Sequence, residues 1–204
     1  MRLIGMLDSP YVRRVAVSLN AMGLPFVHEP LSVFRDFTVF SAINPVVKAP
    51  TLVTDEGVTL LDSALILDYL ERLVPAERRL APQGLADFVR SQRIIGLALA
   101  ANEKSVQLVY ESKRPDERRY EPWVERVSGQ LVAAYRLLEA EIAAAGDGFL
   151  FGARPLQADI TAAVAWRFTR SVAPDRLDAA EFPALAEFSA RAERLPEFAA
   201  ADFD

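Results

Sequence analysis

The sequence predicts an α/β unit of order βαβαββα followed by an all-α helical bundle. Three observations carry that reading. Up to about residue 80, strand-like and helix-like stretches alternate; beyond it strand signals vanish and alanine accumulates in GLALAANEKS, LVAAYRLLEAEIAAAG and DITAAVAWRF. Thr51 to Thr54 and Val58 to Leu61 flank the turn DEG, which makes a hairpin and so an antiparallel pair. The earlier spacing of strand, helix and strand fits a parallel pair joined by a right-handed crossover.

Taking the elements in order, Arg2 to Leu7 is an apolar strand. A helix follows from Pro10, because proline is favoured at the first helical position and Ser9 is a favoured cap. Val12, Val15, Ala16, Leu19 and Met22 give it one apolar face, and Gly23 stops it. Phe26 to Leu31 is the second strand, and the irregular SVFRDFTVFSAINP holds only a short helix. After the hairpin, DSALILDYLERL is a helix capped by Ser63, with Leu65, Ile66, Tyr69, Leu70 and Leu73 turned inward. The domain so formed covers 1–78, a linker occupies 79–84, and 85–204 is helical. Alanine and leucine lead the helix propensities, and helices are expected at Leu85 to Ser112, Pro122 to Ala145, Ala158 to Arg170 and Pro183 to Arg194.

Composition removes several functions. A net charge of -5 without a basic stripe argues against a nucleic-acid partner. With no cysteine, the chain has no disulfide, no thiolate metal site and no thiol nucleophile of its own. His28 is the only histidine, so a metal site would need carboxylates alone; a structural role is assigned to it and no metal is expected. The longest apolar run, IIGLALAA, falls short of the ~20 residues that span a bilayer, and the N-terminus lacks a secretory apolar region. A cytoplasmic protein with no membrane partner is expected.

Three short stretches carry the chemistry: Ser9 in DSPYVRR, the segment NPVVKAPTL, and Asp62-Ser63. All lie at strand-helix junctions, and ligands of open sheets settle near the carboxyl ends of parallel strands. Each also has a plain structural reading: Ser9 and Asp62-Ser63 as helix caps, Pro50 as a trans proline opening a strand, Lys48 as a solvated loop charge. Arg13 and Arg14 read as surface or interdomain charges.

Taken together, SPYVRR, NPVVKAPTL and DSALILDYL, in that order, resemble the soluble glutathione S-transferases of the bacterial, serine-type kind, over essentially the whole chain. The resemblance implies a thioredoxin-like first domain, glutathione as co-substrate, a hydrophobic electrophilic small molecule as second substrate, a homodimer and a role in detoxification. It implies that Ser9 is the catalytic residue, holding the glutathione sulfur as thiolate. It implies a cis peptide before Pro50, with Ala49 offering its backbone N–H and C=O to the cysteinyl part. Asp62 and Ser63 stand where the family usually has Glu-Ser and bind the γ-glutamyl end, Lys48 matches a glutathione-contacting position, and Arg35 is a candidate for the glycine carboxylate. Tyr11, Phe34, Tyr110 and Trp166 are candidates for the electrophile pocket, with core packing the competing reading for Trp166.

Two departures from the family pattern follow. Glutathione-dependent isomerases resemble the chain too, but their usual Ser-Ser-Cys segment is missing from DSPYVRR. In RPLQADITAAVAW, Leu156 replaces the hydroxyl residue of the usual capping box, which leaves Asp159 to bond first-turn N–H groups alone and gives it a folding role. A non-catalytic binding protein of the same fold is the competing function; the joint presence of Ser9, Ala49-Pro50 and Asp62-Ser63 speaks against it.

Overall fold

In the computed structural model, which describes residues 1–203, the first helix begins where Ser9 and Pro10 place it. This helix, α1 (Pro10–Met22), ends at Gly23, whose φ of 65° lets its N–H close back on the carbonyls of Asn20 and Leu19. Four short strands flank it in the chain: β1 (Arg2–Ile4), β2 (Val27–Glu29), β3 (Thr51–Val53) and β4 (Thr59–Leu61). They form one sheet of order β2-β1-β3-β4. Leu3 lies opposite His28 in the parallel β1-β2 pair and opposite Leu52 in the antiparallel β1-β3 pair. The strands are shorter than the sequence predicts. Gly5, with φ of 136°, ends β1, and Pro25 and Pro30 bracket β2.

The irregular segment holds α2 (Phe37–Ile43), ended by Asn44 and Pro45. α3 (Ser63–Leu73) is capped by Asp62 rather than Ser63. It buries Ile66, Leu67 and Leu70 and packs on α1, while Leu65 and Leu73 are exposed, contrary to the inward face predicted for them. A single sheet face and a single neighbouring helix cover only a narrow stripe of α3, and these two leucines fall outside it.

The division between units differs from the sequence expectation. The first unit comprises Met1–Ala81 together with the stretch from Arg194 onward, and the second Pro82–Glu193. A short helix that the sequence did not suggest, α8 (Pro196–Ala199), packs against α1. Arg13 holds it: its Nε donates to the Ala201 carbonyl at 2.9 Å and its guanidinium lies over the rings of Phe198 and Phe203 at 5.9 and 5.2 Å.

The second unit contains α4 (Leu85–Ser112), α5 (Glu121–Ala143), α6 (Gln157–Val172) and α7 (Pro183–Glu193). α4 packs on α5 and α6, and α6 on α7. Alanines 98, 101, 162, 163 and 165 are buried, so the helices approach closely. Inside, the Tyr135 hydroxyl donates to the Ala165 carbonyl at 2.8 Å and meets Thr169 Oγ1 at 2.7 Å, which meets Ser105 Oγ at 2.6 Å. Burial pushes the Tyr135 phenol far above its ordinary pKa, so it stays a neutral donor.

At the start of α6 Asp159 is fully buried. One carboxylate oxygen accepts the Leu156 N–H at 2.9 Å; the other reaches back to the Leu150 N–H at 2.8 Å. The aspartate therefore fastens the preceding loop as well as the cap residue, whereas the sequence pointed only to first-turn N–H groups.

Candidate functional site

The polar stretches of the first unit meet where strands end and helices begin. A Cβ on Gly5 would lie 2.6 Å from Val12 Cγ2 and 3.1 Å from the Ala49 Cβ, so only glycine lets the start of α1 and the loop before β3 come this close. His28 Nε2 donates to the Gly5 carbonyl at 2.8 Å, which is a structural task.

Ser9 caps α1 in extended backbone conformation (φ -75°, ψ 123°). Its Oγ accepts the Val12 N–H at 3.5 Å, at the long limit of a hydrogen bond. Because that bond uses only a lone pair of Oγ, the hydroxyl proton remains available to a further acceptor.

The loop before β3 is fixed from within. Asn44 Nδ2 donates to Thr51 Oγ1 at 2.8 Å, Thr51 Oγ1 donates to the Lys48 carbonyl at 2.7 Å, and Asn44 Oδ1 accepts the Val46 N–H at 3.0 Å. The Ala49–Pro50 peptide bond is cis. Across from this loop stands the head of α3. Asp62 Oδ1 accepts the Ala64 N–H at 2.9 Å, and Oδ2 lies 3.8 Å from Lys48 Nζ. Val47 and Asp62 have φ of 50° and 72°, left-handed values that cost a non-glycine residue on the order of 1–3 kcal/mol and that concentrate at functional sites.

Ser63 is buried and its Oγ accepts from Arg14 Nη1 at 3.2 Å. Arg14, read from sequence as a surface or interdomain charge, is itself buried, as is Arg13. Burial pushes the Arg14 guanidinium down to about 10, against the opposing pull of Asp62 and Tyr11, and it remains cationic at neutral pH. A signal for this was present: α1 reads PYVRRVAVSLNAM, with no charged residue besides the two arginines, and a helix apolar nearly all round is a buried one.

The other sequence candidates fall elsewhere. Arg35 is exposed beside the β1–α1 loop, with Nη2 3.9 Å from Met6 Sδ. Tyr11 is half-buried on α1 and Phe34 exposed before α2; Tyr110 is exposed near the end of α4. For Trp166 the competing reading, core packing, holds. It is 5% exposed and meets Tyr135 edge-on at 5.3 Å and Phe182 at 5.7 Å, so its ring is occupied by the core of the second unit and not by a pocket. Among the described residues no group of three or more His, Asp or Glu is arranged to hold a metal ion, and no helix is long and apolar enough to cross a membrane.

A thioredoxin-like sheet unit with a polar cluster at its helix starts is joined in sequence to a helical unit. The family models agree: residues 3–78 match the glutathione S-transferase N-terminal domain and residues 121–191 the C-terminal domain. The chain belongs to the glutathione S-transferase family. It is 30% identical to the GST-like protein YibF of Escherichia coli over 59% of each chain. It is 29% identical to the maleylacetoacetate isomerase of Pseudomonas aeruginosa over 72% of this chain and 71% of that one. Among solved structures, a glutathione S-transferase of Methylobacterium radiotolerans in complex with glutathione sulfonate superposes with a TM-score of 0.88 at 29% identity, covering 98% of this chain and 93% of that one.

Proposed function

We propose that the chain is a glutathione transferase in which Ser9 keeps the sulfur of glutathione ionised for attack on an electrophilic carbon. The observation that carries this reading is the weakly occupied Ser9 hydroxyl at the head of α1, with the loop carrying Ala49 close to the same strand end. Glutathione lies extended along the loop. Ala49 holds the cysteinyl part through its backbone, Asp62 takes the γ-glutamyl ammonium, and the N-terminus of α3 with Ser63 takes the α-carboxylate. Lys48 and Arg35 add positive charge for the remaining carboxylate.

The energetics suffice without a metal. A free thiol has a pKa of ~8.5, and lowering it by two units needs about 2.7 kcal/mol in favour of the thiolate. A hydrogen bond to a charged acceptor contributes ~1.5–3 kcal/mol and a helix terminus ~0.3–1 kcal/mol more. The thiol proton passes to solvent, the thiolate forms a C–S bond, and the leaving group departs with its electron pair. The electrophile is a hydrophobic small molecule approaching beside Tyr11 and Phe34, and the working form is a cytoplasmic homodimer.

Retention on immobilised glutathione followed by conjugation of a generic aryl halide tests the reading. Retention with turnover supports it; retention without turnover favours a binding protein; neither sinks both. The alignment with a maleylacetoacetate isomerase favours a second reading, glutathione-dependent isomerisation, in which the same thiolate adds to and leaves the substrate. Turnover of maleylacetoacetate at a higher kcat/KM than any aryl halide would establish that reading.

A further inference from the structure

The backbone contact proposed at Ala49 depends on which way one peptide plane faces. The N–H of Ala49 and the carbonyl of Lys48 belong to the same peptide unit, and in a trans unit the two point in opposite directions. The Lys48–Ala49 bond is trans, because among the described residues the Ala49–Pro50 bond alone is cis. Thr51 is fully buried, and its Oγ1 donates to the Lys48 carbonyl at 2.7 Å. That carbonyl is therefore held inward and the Ala49 N–H is turned outward. Ala49 lies outside helices and strands, half-buried, and among the described residues its N–H donates to no other backbone group.

A second buried side chain keeps the Thr51 hydroxyl from turning elsewhere. Asn44 Nδ2 donates to Thr51 Oγ1 at 2.8 Å, so the threonine oxygen receives there and its own proton is left for Lys48. The asparagine is fixed in turn. Its Oδ1 takes the Val46 N–H at 3.0 Å, and since a backbone N–H can only donate, Oδ1 must face Val46 and Nδ2 must face Thr51. Its own N–H closes the end of α2 on the Phe40 carbonyl at 2.9 Å. Pro45, Val46 and Lys48 of the same loop are exposed, so the two buried polar side chains serve the direction of the loop's backbone rather than the burial of its side chains.

We propose that Thr51, backed by Asn44, is a positioning residue for the cysteinyl carbonyl of glutathione: by holding the Lys48 carbonyl inward it presents the Ala49 N–H as a ready donor to the ligand. This rests on the reading that Ala49 binds the cysteinyl part through its backbone. An amide fixed in its bound direction before the ligand arrives needs no ordering on binding, so the relay acts on affinity and leaves thiolate formation at Ser9 untouched.

The test compares two ligands across variants, by equilibrium affinity and by steady-state conjugation of an aryl halide. One ligand is glutathione; the other is γ-glutamylcysteamine, which keeps the thiol and the γ-glutamyl amide but lacks the cysteinyl carbonyl. Thr51→Val keeps the shape and removes the hydroxyl. It raises the Kd and KM for glutathione about fivefold, the size of one hydrogen bond, while kcat at saturating glutathione stays within about twofold. Thr51→Ser, which keeps the hydroxyl, restores the affinity. For γ-glutamylcysteamine wild type and Thr51→Val bind alike. Equal losses for both ligands, or no loss for glutathione, overturn the assignment and leave the glutathione site standing. A wild-type chain that binds neither ligand overturns the site and the assignment together. If Thr51→Val does not fold, Asn44→Asp is read on the same comparison, because its carboxylate draws the Thr51 proton away from Lys48 and still accepts the Val46 N–H.

Discussion

The helix starts of the two units use the same residue types for opposite ends. At the head of α3, Asp62 is half-exposed and Ser63 holds a buried cation behind it; at the head of α6, Asp159 is fully buried and both its oxygens are taken by backbone N–H groups. α1 resembles α3, with a cap bond long enough to leave the Ser9 hydroxyl available. The difference teaches that a capping residue is a folding device when the chain itself consumes its bonds, and under the proposed function a binding device when, as at Ser9 and Asp62, the chain leaves bonding capacity unused.

The strongest way to break the comparison is to remove each cap and ask what is lost. Asp159→Ala strips two buried N–H groups of their acceptor, and at ~1–3 kcal/mol for each unsatisfied group the cost is about 2–6 kcal/mol. The melting temperature should drop markedly while the KM for glutathione in the surviving folded protein stays put; an unchanged melting temperature removes the folding role. Ser9→Ala is the mirror image. Losing a hydrogen bond to a thiolate, ~1.5–3 kcal/mol, lowers kcat/KM by roughly 10- to 150-fold. Thermal stability should barely move, because the lost cap bond is at the long limit. Equal turnover in the variant would place Ser9 with Asp159, as a cap only.

A pH series sharpens the comparison at a smaller scale. Burial raises Asp159 to about 6 from an ordinary 3.8, against the pull of its backbone hydrogen bonds and of Arg90. Between about pH 4 and 6 the folded chain holds a proton that the unfolded chain releases, so the Asp159 contribution to stability declines as pH rises through that window. The difference in unfolding free energy between wild type and Asp159→Asn should therefore narrow from pH 4 to pH 7, by up to about 3 kcal/mol. A gap that widens would mean the carboxylate is preferred in its charged form when folded.

How much of this was legible follows from the range of the interactions. α1 was readable from Ser9, Pro10, its apolar face and Gly23, all within one stretch of chain, and the hairpin from its turn. Lys48 and Asp62, two of the proposed glutathione contacts, were found as motifs, and the structure sets them 3.8 Å apart. What escaped depends on distant partners. Nothing local in Pro196–Ala199 says that it packs on α1, and nothing around Arg13 announces Phe198, Ala201 and Phe203. The Asp159 bond to Leu150 is set by a loop whose path the sequence does not encode in any short pattern. Arg14 is the instructive case, since a charged pair was read as surface by residue type when the apolar character of the whole helix argued for burial.

The smallest expected effect concerns Lys48. Its ion pair with Asp62 spans 3.8 Å with both side chains about half exposed, and exposed pairs of this kind contribute roughly 0–1 kcal/mol. Lys48→Ala should leave the melting temperature within error. Two effects on glutathione oppose each other: the lysine attracts an anionic peptide, yet it also competes with the γ-glutamyl ammonium for Asp62. If Asp62 is held mainly for the ligand, releasing it offsets much of the lost attraction, and the KM for glutathione rises only about two- to threefold, about 0.5 kcal/mol. The rise should shrink further at high salt, where exposed charges are screened. A tenfold rise independent of salt would instead make Lys48 a direct contact as important as Ser63, and would move the outward-facing bonds of the first unit from the helix start to the loop.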